Sequence, residues 1–173
     1  MSIYLKLTFT LTAACTLIGC AAESHKTTLS AGWPNPRRLK NVRTTAYSRG
    51  EDGGRRNAIG SNLSHGKCCS AASDWSRFPL GTRFRIVGAK EEYVIDDYGT
   101  ALIGTNTIDL YKPSRLEMRR WGVRHVDIDI IKWGSDEQSL KVLTPRAKHR
   151  SVKRMVVALQ KKTSGSAPSR ALD

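Results

Sequence analysis

The feature that most restricts the fold is a series of short β-patterned runs separated by glycines. "VRTTAY" (42–47), "RFRIV" (83–87), "EYVID" (92–96), "NTIDLY" (106–111) and "HVDIDIIKW" (125–133) are rich in β-branched and aromatic residues, and glycines at 81, 88, 99, 104, 122 and 134 punctuate them. Strands this short bury too little surface alone and must close on one another. The stretch 41–134 therefore reads as one mainly β domain, a small barrel. One helix interrupts it: in "PSRLEMRRWG" Ser114 is placed as N-cap, Glu117 as its capping-box partner and Gly122 as the stop, so one or two short helices are expected.

The flanks differ in composition. Lys6 followed by the apolar run "LTFTLTAACTLIG" (7–19) reads as a signal peptide over 1–19, too short to span a bilayer as a helix. The run ends in "LIGC" (17–20), which resembles the bacterial lipobox, so Cys20 is expected to carry lipid. With Ala21 after it, the periplasmic face of an outer membrane is the expected destination where the cell has one. Residues 20–40 read as a polar, proline-containing linker. The formal net charge is +14, and from Gln138 to Asp173 nine Lys or Arg stand against one acid. Residues 135–173 read as a basic, largely disordered tail directed at anionic envelope polymers; nucleic acid is not an expected partner of an exported chain.

Two cysteines remain in the soluble part, the neighbours Cys68 and Cys69. A vicinal bridge, two thiols and intermolecular pairing are all compatible with the sequence. "HGKCC" (65–69) has no second ligand pair at a recognisable spacing, so neither a metal nor another cofactor is expected.

Carboxylates set among core-type residues are the chemical signal. "VIDDYGTALIGTNTIDLY" (94–111) holds Asp96, Asp97 and Asp109 beside apolar side chains. A carboxylate there is solvated at a strand end, hydrogen-bonded, or held protonated for use. Strand alternation turns Asp96 away from Asp97, so one of the two faces a cleft, and it puts Asp127 and Asp129 together on the solvent side.

The order and spacing of "TTAYSRG", "NAIG", "SAASDWSRFPLGTRFRIVG", "VIDDYGTALIG" and "TIDLYKPSRLEMRRWGVRHVDIDII" closely resemble the 3D domain, named for three aspartates. That family is related to membrane-bound lytic transglycosylase A and more distantly to rare lipoprotein A. The resemblance spans about residues 42–132. It implies a six-stranded double-psi β-barrel, and it implies that Asp74, Asp97 and Asp109 carry function. The implied activity is cleavage of the MurNAc–GlcNAc β-1,4 bond in peptidoglycan with formation of 1,6-anhydroMurNAc. Asp109 matches the acid/base; Asp97 would raise its pKa or stabilise the transition state, and Asp74 would hold substrate or the neighbouring carboxyl. Tyr47, Trp75, Tyr98 and Arg124 are the expected substrate contacts. Two departures touch the loops: one extra residue between Gly104 and Asp109, and Asn57-Ala58-Ile59-Gly60 where the family has T-A-x-G. A two-carboxylate hydrolase on the same barrel and a non-catalytic wall-binding or wall-loosening module, in the manner of expansins, are the alternatives.

Overall fold

The computed structural model describes residues 37–49 and 54–165. The expected signal peptide, Cys20 and most of the expected linker lie outside them. Six strands, β1 (Arg37–Ser48), β2 (Cys68–Ala72), β3 (Arg83–Ile86), β4 (Glu92–Asp97), β5 (Ile108–Lys112) and β6 (Arg124–Lys132), close into a barrel in the order β1-β5-β2-β4-β3-β6. The pairs β1/β5 and β2/β4 are parallel and the other four antiparallel. Inward side chains of all six strands fill the interior, with Phe84, Ile95, Ile108, Leu110, Tyr111 and Ile128 essentially inaccessible to solvent. The small mainly β barrel is thus the observed fold class.

Helix α1 (Arg115–Trp121) ends where the sequence puts its ends. Ser114 Oγ accepts from Glu117 N at 3.2 Å, and Gly122 takes φ 60°, open to glycine at little cost. Strand β1 begins at Arg37, so the last residues of the expected linker are already paired, Arg37 with Ile130 and Arg38 with Asp129. Strand β2, "CCSAA", has no place among the expected strands. Its small residues are buried from Cys69 to Ala72 and leave no alternating polar face to read.

The expected disordered tail is largely helical. Residues 136–165 form α2 (Asp136–Leu143), a 3₁₀ turn at Thr144–Arg146 and α3 (Arg150–Gly165). Val152, Met155, Val156 and Leu159, spaced i, i+3, i+4, i+7, form one buried stripe that joins Leu143 and the barrel residues in a single apolar core. Ser135 caps α2 by accepting from Gln138 N at 3.0 Å. The helix is moored to the 79–82 turn: Ser135 N donates to Leu80 O (3.0 Å) and Ser139 Oγ accepts from Leu80 N (2.9 Å). A Cβ at Gly134 would lie 2.2 Å from Leu80 O and 2.4 Å from Pro79 O, so only glycine permits this approach. Within 41–134 the helices are α1 and a 3₁₀ turn at Thr100–Leu102, and α2 and α3 are added by the segment expected to be a tail. Because α3 is part of the core, Leu159→Ala is expected to cost about 2–4 kcal/mol in urea unfolding. The same substitution at exposed Val157 should cost under about 1 kcal/mol.

Candidate active site

The two carboxylates expected to act together are placed by strand register. Ala72 on β2 pairs with Asp97 on β4 and, on its other side, with Asp109 on β5; Asp109 pairs in turn with Thr45 on β1. Asp97, Ala72, Asp109 and Thr45 thus form one row across four neighbouring strands. Two strand spacings, about 10 Å, separate the two aspartate backbones. Ala72 between them contributes only a methyl group, which leaves the space above the row to the carboxyls. Thr45 Oγ1 donates to Asp109 Oδ1 at 2.5 Å. Tyr47, two residues on along β1, donates its hydroxyl to Asp97 Oδ2 at 3.4 Å and packs edge-on against Tyr111.

A bulge sets what lies beneath Asp97. Between Ala71 and Ala72 the β2/β4 register shifts, Ala71 pairing with Ile95 and Ala72 with Asp97, so Asp96 is an extra residue opposite the step. Strict alternation fails there, and Asp96, 8% exposed, turns into a buried network. Its Oδ2 accepts from Ser70 Oγ at 2.7 Å and from Asn57 Nδ2 at 2.8 Å, while Oδ1 is buried without a hydrogen-bond partner. Asn57 comes from the segment 57–60, which Arg146 fixes by donating to Ala58 O at 2.8 Å. Asn57 and Ser70 are the site neighbours that sequence reasoning missed. The signal was the polar Asn57 in a glycine-flanked loop ahead of the double aspartate.

Burial dominates the electrostatics. It raises the Asp97 carboxyl from the ordinary 3.8 to about 6, the charge of Asp96 adding to the rise and donors from Tyr98 N and Tyr47 opposing it. Asp96 is raised for the same leading reason, with Ser70 and Asn57 opposing. Burial also raises Tyr47 far above its ordinary value, helped by the charges of Asp97, Asp96 and Asp109, so Tyr47 stays a neutral donor amid three carboxylates.

Asp74 does not join this group. It is 2% exposed, and its carboxylate holds the chain: Oδ1 accepts from Ser76 N and Oγ at 2.9 and 2.7 Å, and Oδ2 from Gly104 N at 2.7 Å. The expected role in gripping substrate gives way to fastening the 74–78 turn to the loop between Asp97 and Asp109. In that loop Gly104 sits at φ 87° and Asn106 accepts from Arg77 at 2.5 Å.

Two expected substrate contacts are also structural. Trp75 is wholly buried and donates Nε1–H to Asp97 O at 2.7 Å, while its ring meets Tyr98 edge-on at 5.2 Å. Arg124 caps α1 by donating to Trp121 O (2.9 Å) and Arg120 O (2.8 Å), its guanidinium over the Trp121 ring. Tyr47 and half-buried Tyr98 stay beside Asp97. Asp129 pairs with Arg38 through two bonds of 2.8 and 2.9 Å, and Asp127 accepts from Asn41 N, both on the outer side as expected. Cys68 and Cys69 are both free thiols. Among the described residues no group of three or more His, Cys, Asp or Glu side chains is placed to hold a metal ion.

No protein-family model matches the chain, and no curated protein matches it.

Two outcomes follow from this geometry. The native state holds the Asp97 proton more tightly than the unfolded chain, so this group's contribution is full below about pH 4 and is lost as the pH rises through about 6. Asp97→Asn is therefore expected to be more stable than the parent at pH 7.5 by about 1–2 kcal/mol in urea, after discounting for partial solvent contact, with the gain gone at pH 4. Asp74→Ala orphans Gly104 N and Ser76 N and is expected to lose about 2 kcal/mol in urea at pH 7.5.

Proposed function

We propose that this chain is a 3D-domain lytic transglycosylase that cleaves the MurNAc–GlcNAc bond of peptidoglycan. The observation that carries the reading is the Asp97–Ala72–Asp109 row, in which two carboxyls share one face and one of them titrates near pH 6. The reaction needs an acid for the leaving 4-oxygen of GlcNAc and a base for the 6-hydroxyl of MurNAc. A carboxyl near pKa 6 keeps a useful fraction of its proton in the pH range of the cell envelope. Asp97 then protonates the glycosidic oxygen as the C1–O4 bond breaks. Asp109, oriented by Thr45, takes the proton of the 6-hydroxyl as O6 closes on C1, and no water enters the product. This divides between two carboxyls a task that the family resemblance assigns to Asp109 alone. Tyr47 and Tyr98 offer the sugar a neutral donor and a ring face beside the acid. In this reading Cys20 is the lipid anchor, and the enzyme works on glycan strands from the membrane surface.

The test is mass spectrometry of purified peptidoglycan digested with residues 21–173. Anhydromuropeptides are expected, and Asp109→Asn and Asp97→Asn are each expected to reduce them by about 10²–10⁴-fold. Because the reactive form of Asp97 is protonated, kcat/KM should fall about tenfold per pH unit above pH 6. Reducing-end products would assign the barrel to the two-carboxylate hydrolases, and wall binding without release would make it a binding module.

A further inference from the structure

Helix α3 and the loop between the two aspartates enclose a second feature. A groove of about 520 Å³ runs between α3 on one side and the 103–104 and 74–77 segments on the other. Five cations line it, Arg77 from the turn and Arg150, Lys153, Arg154 and Lys161 from α3, and neither Asp97 nor Asp109 is in its wall. Asp74 is there, but both of its oxygens are engaged by Ser76 and Gly104.

The cations are not there to balance acids. Among the described residues the ion pairs join Arg38 to Asp129, Arg83 and Arg85 to Glu92, and Lys162 to Asp136; none includes a cation of the groove. Arg150 and Arg154 stand one helical turn apart and repel each other. Arg154 is also pressed against the loop, its Nη2 2.9 Å from where a Cβ on Gly104 would sit. Like charges gathered unpaired along a concave surface form a site for an anion.

The shape and floor select among anions. From Arg150 to Lys161 the stripe rises about 16 Å along the helix, the length of about five extended residues. Between its cations the floor is apolar, made by Ile103, Val157 and Ala158. A phosphate chain would leave that floor uncovered. A peptide with carboxylates on alternate residues would place three of them about 7 Å apart on one side, over about 14 Å, within reach of Arg150, Arg154 and Lys161, which stand at about 0, 6 and 16 Å along α3, and would turn its small methyl side chains to the opposite wall, where Ile103 lies. We infer that this groove binds an extended acidic peptide with small apolar side chains, clamped between α3 and the loop that joins Asp97 to Asp109. The inference is independent of the catalytic reading.

The test uses the full-length protein and fluorescein-labelled Glu-Ala-Glu-Ala-Glu, followed by anisotropy. Saturable binding is expected, about tenfold or more tighter than for Gln-Ala-Gln-Ala-Gln and weakening as salt is added. Arg150→Gln with Arg154→Gln should weaken it about tenfold with the circular dichroism unchanged. On the unmutated protein, carbodiimide coupling should join peptide carboxylates to Lys153 or Lys161. Equal affinity for the two peptides, coupling only to lysines elsewhere, or binding of inorganic polyphosphate without binding of the acidic peptide would each overturn the inference.

Discussion

The juxtaposition of Asp97 and Asp109 depends on Ala72 pairing with two aspartate-bearing strands at once. Strand β2 lies parallel to β4 and antiparallel to β5, so a single small residue brings Asp97 and Asp109 into one row although twelve positions separate them in the chain. A larger side chain at Ala72 would stand between the carboxyls. A one-residue slip of either neighbour would turn its aspartate into the core, where Ile95, Ile108 and Leu110 now pack. The barrel closure that fixes the register is therefore also what fixes the site.

Around that row the structure divides its acids by task. Asp74 gives up both oxygens to backbone and serine donors and acts as a fastener. Asp96, at the bulge, is buried with one oxygen satisfied twice and the other not at all. A buried carboxylate in that condition costs free energy, and its charge pushes the same way as burial on the adjacent Asp97. Local destabilisation of this kind is the pattern expected where a group must hold a proton rather than stabilise the fold.

Much of this was legible in the residues. Strands β1, β3, β4, β5 and β6 and helix α1 show through their alternation and capping signals, because each presents one face to the core and one to solvent. Strand β2 does not, since Cys69 to Ala72 are small and buried on both faces. The alternation rule separated Asp96 from Asp97 but could not show that Asp96 is buried, because a bulge depends on the partner strand. Charge hid the C-terminal helices: nine cations across residues 138–173 masked the i, i+3, i+4, i+7 stripe of Val152, Met155, Val156 and Leu159. Trp75 has the composition of a sugar platform, and only its burial and its bond to Asp97 O show it to be a brace.

That misread segment changes what counts as the domain. The barrel alone, residues 41–134, would expose the core residues that pack against Leu143, Met155 and Leu159 and release the 79–82 turn from Ser135 and Ser139. It would also lose Arg146, which fixes Ala58 over the Asp96 network, and Arg154, which backs Gly104 where Asp74 holds the loop to Asp109. The two loops that border the carboxylates are thus braced from the same side by the C-terminal helices. Helices α2 and α3 belong physically to the same folded unit as the carboxylate row, because the positions of the loops that border it are fixed in part by them.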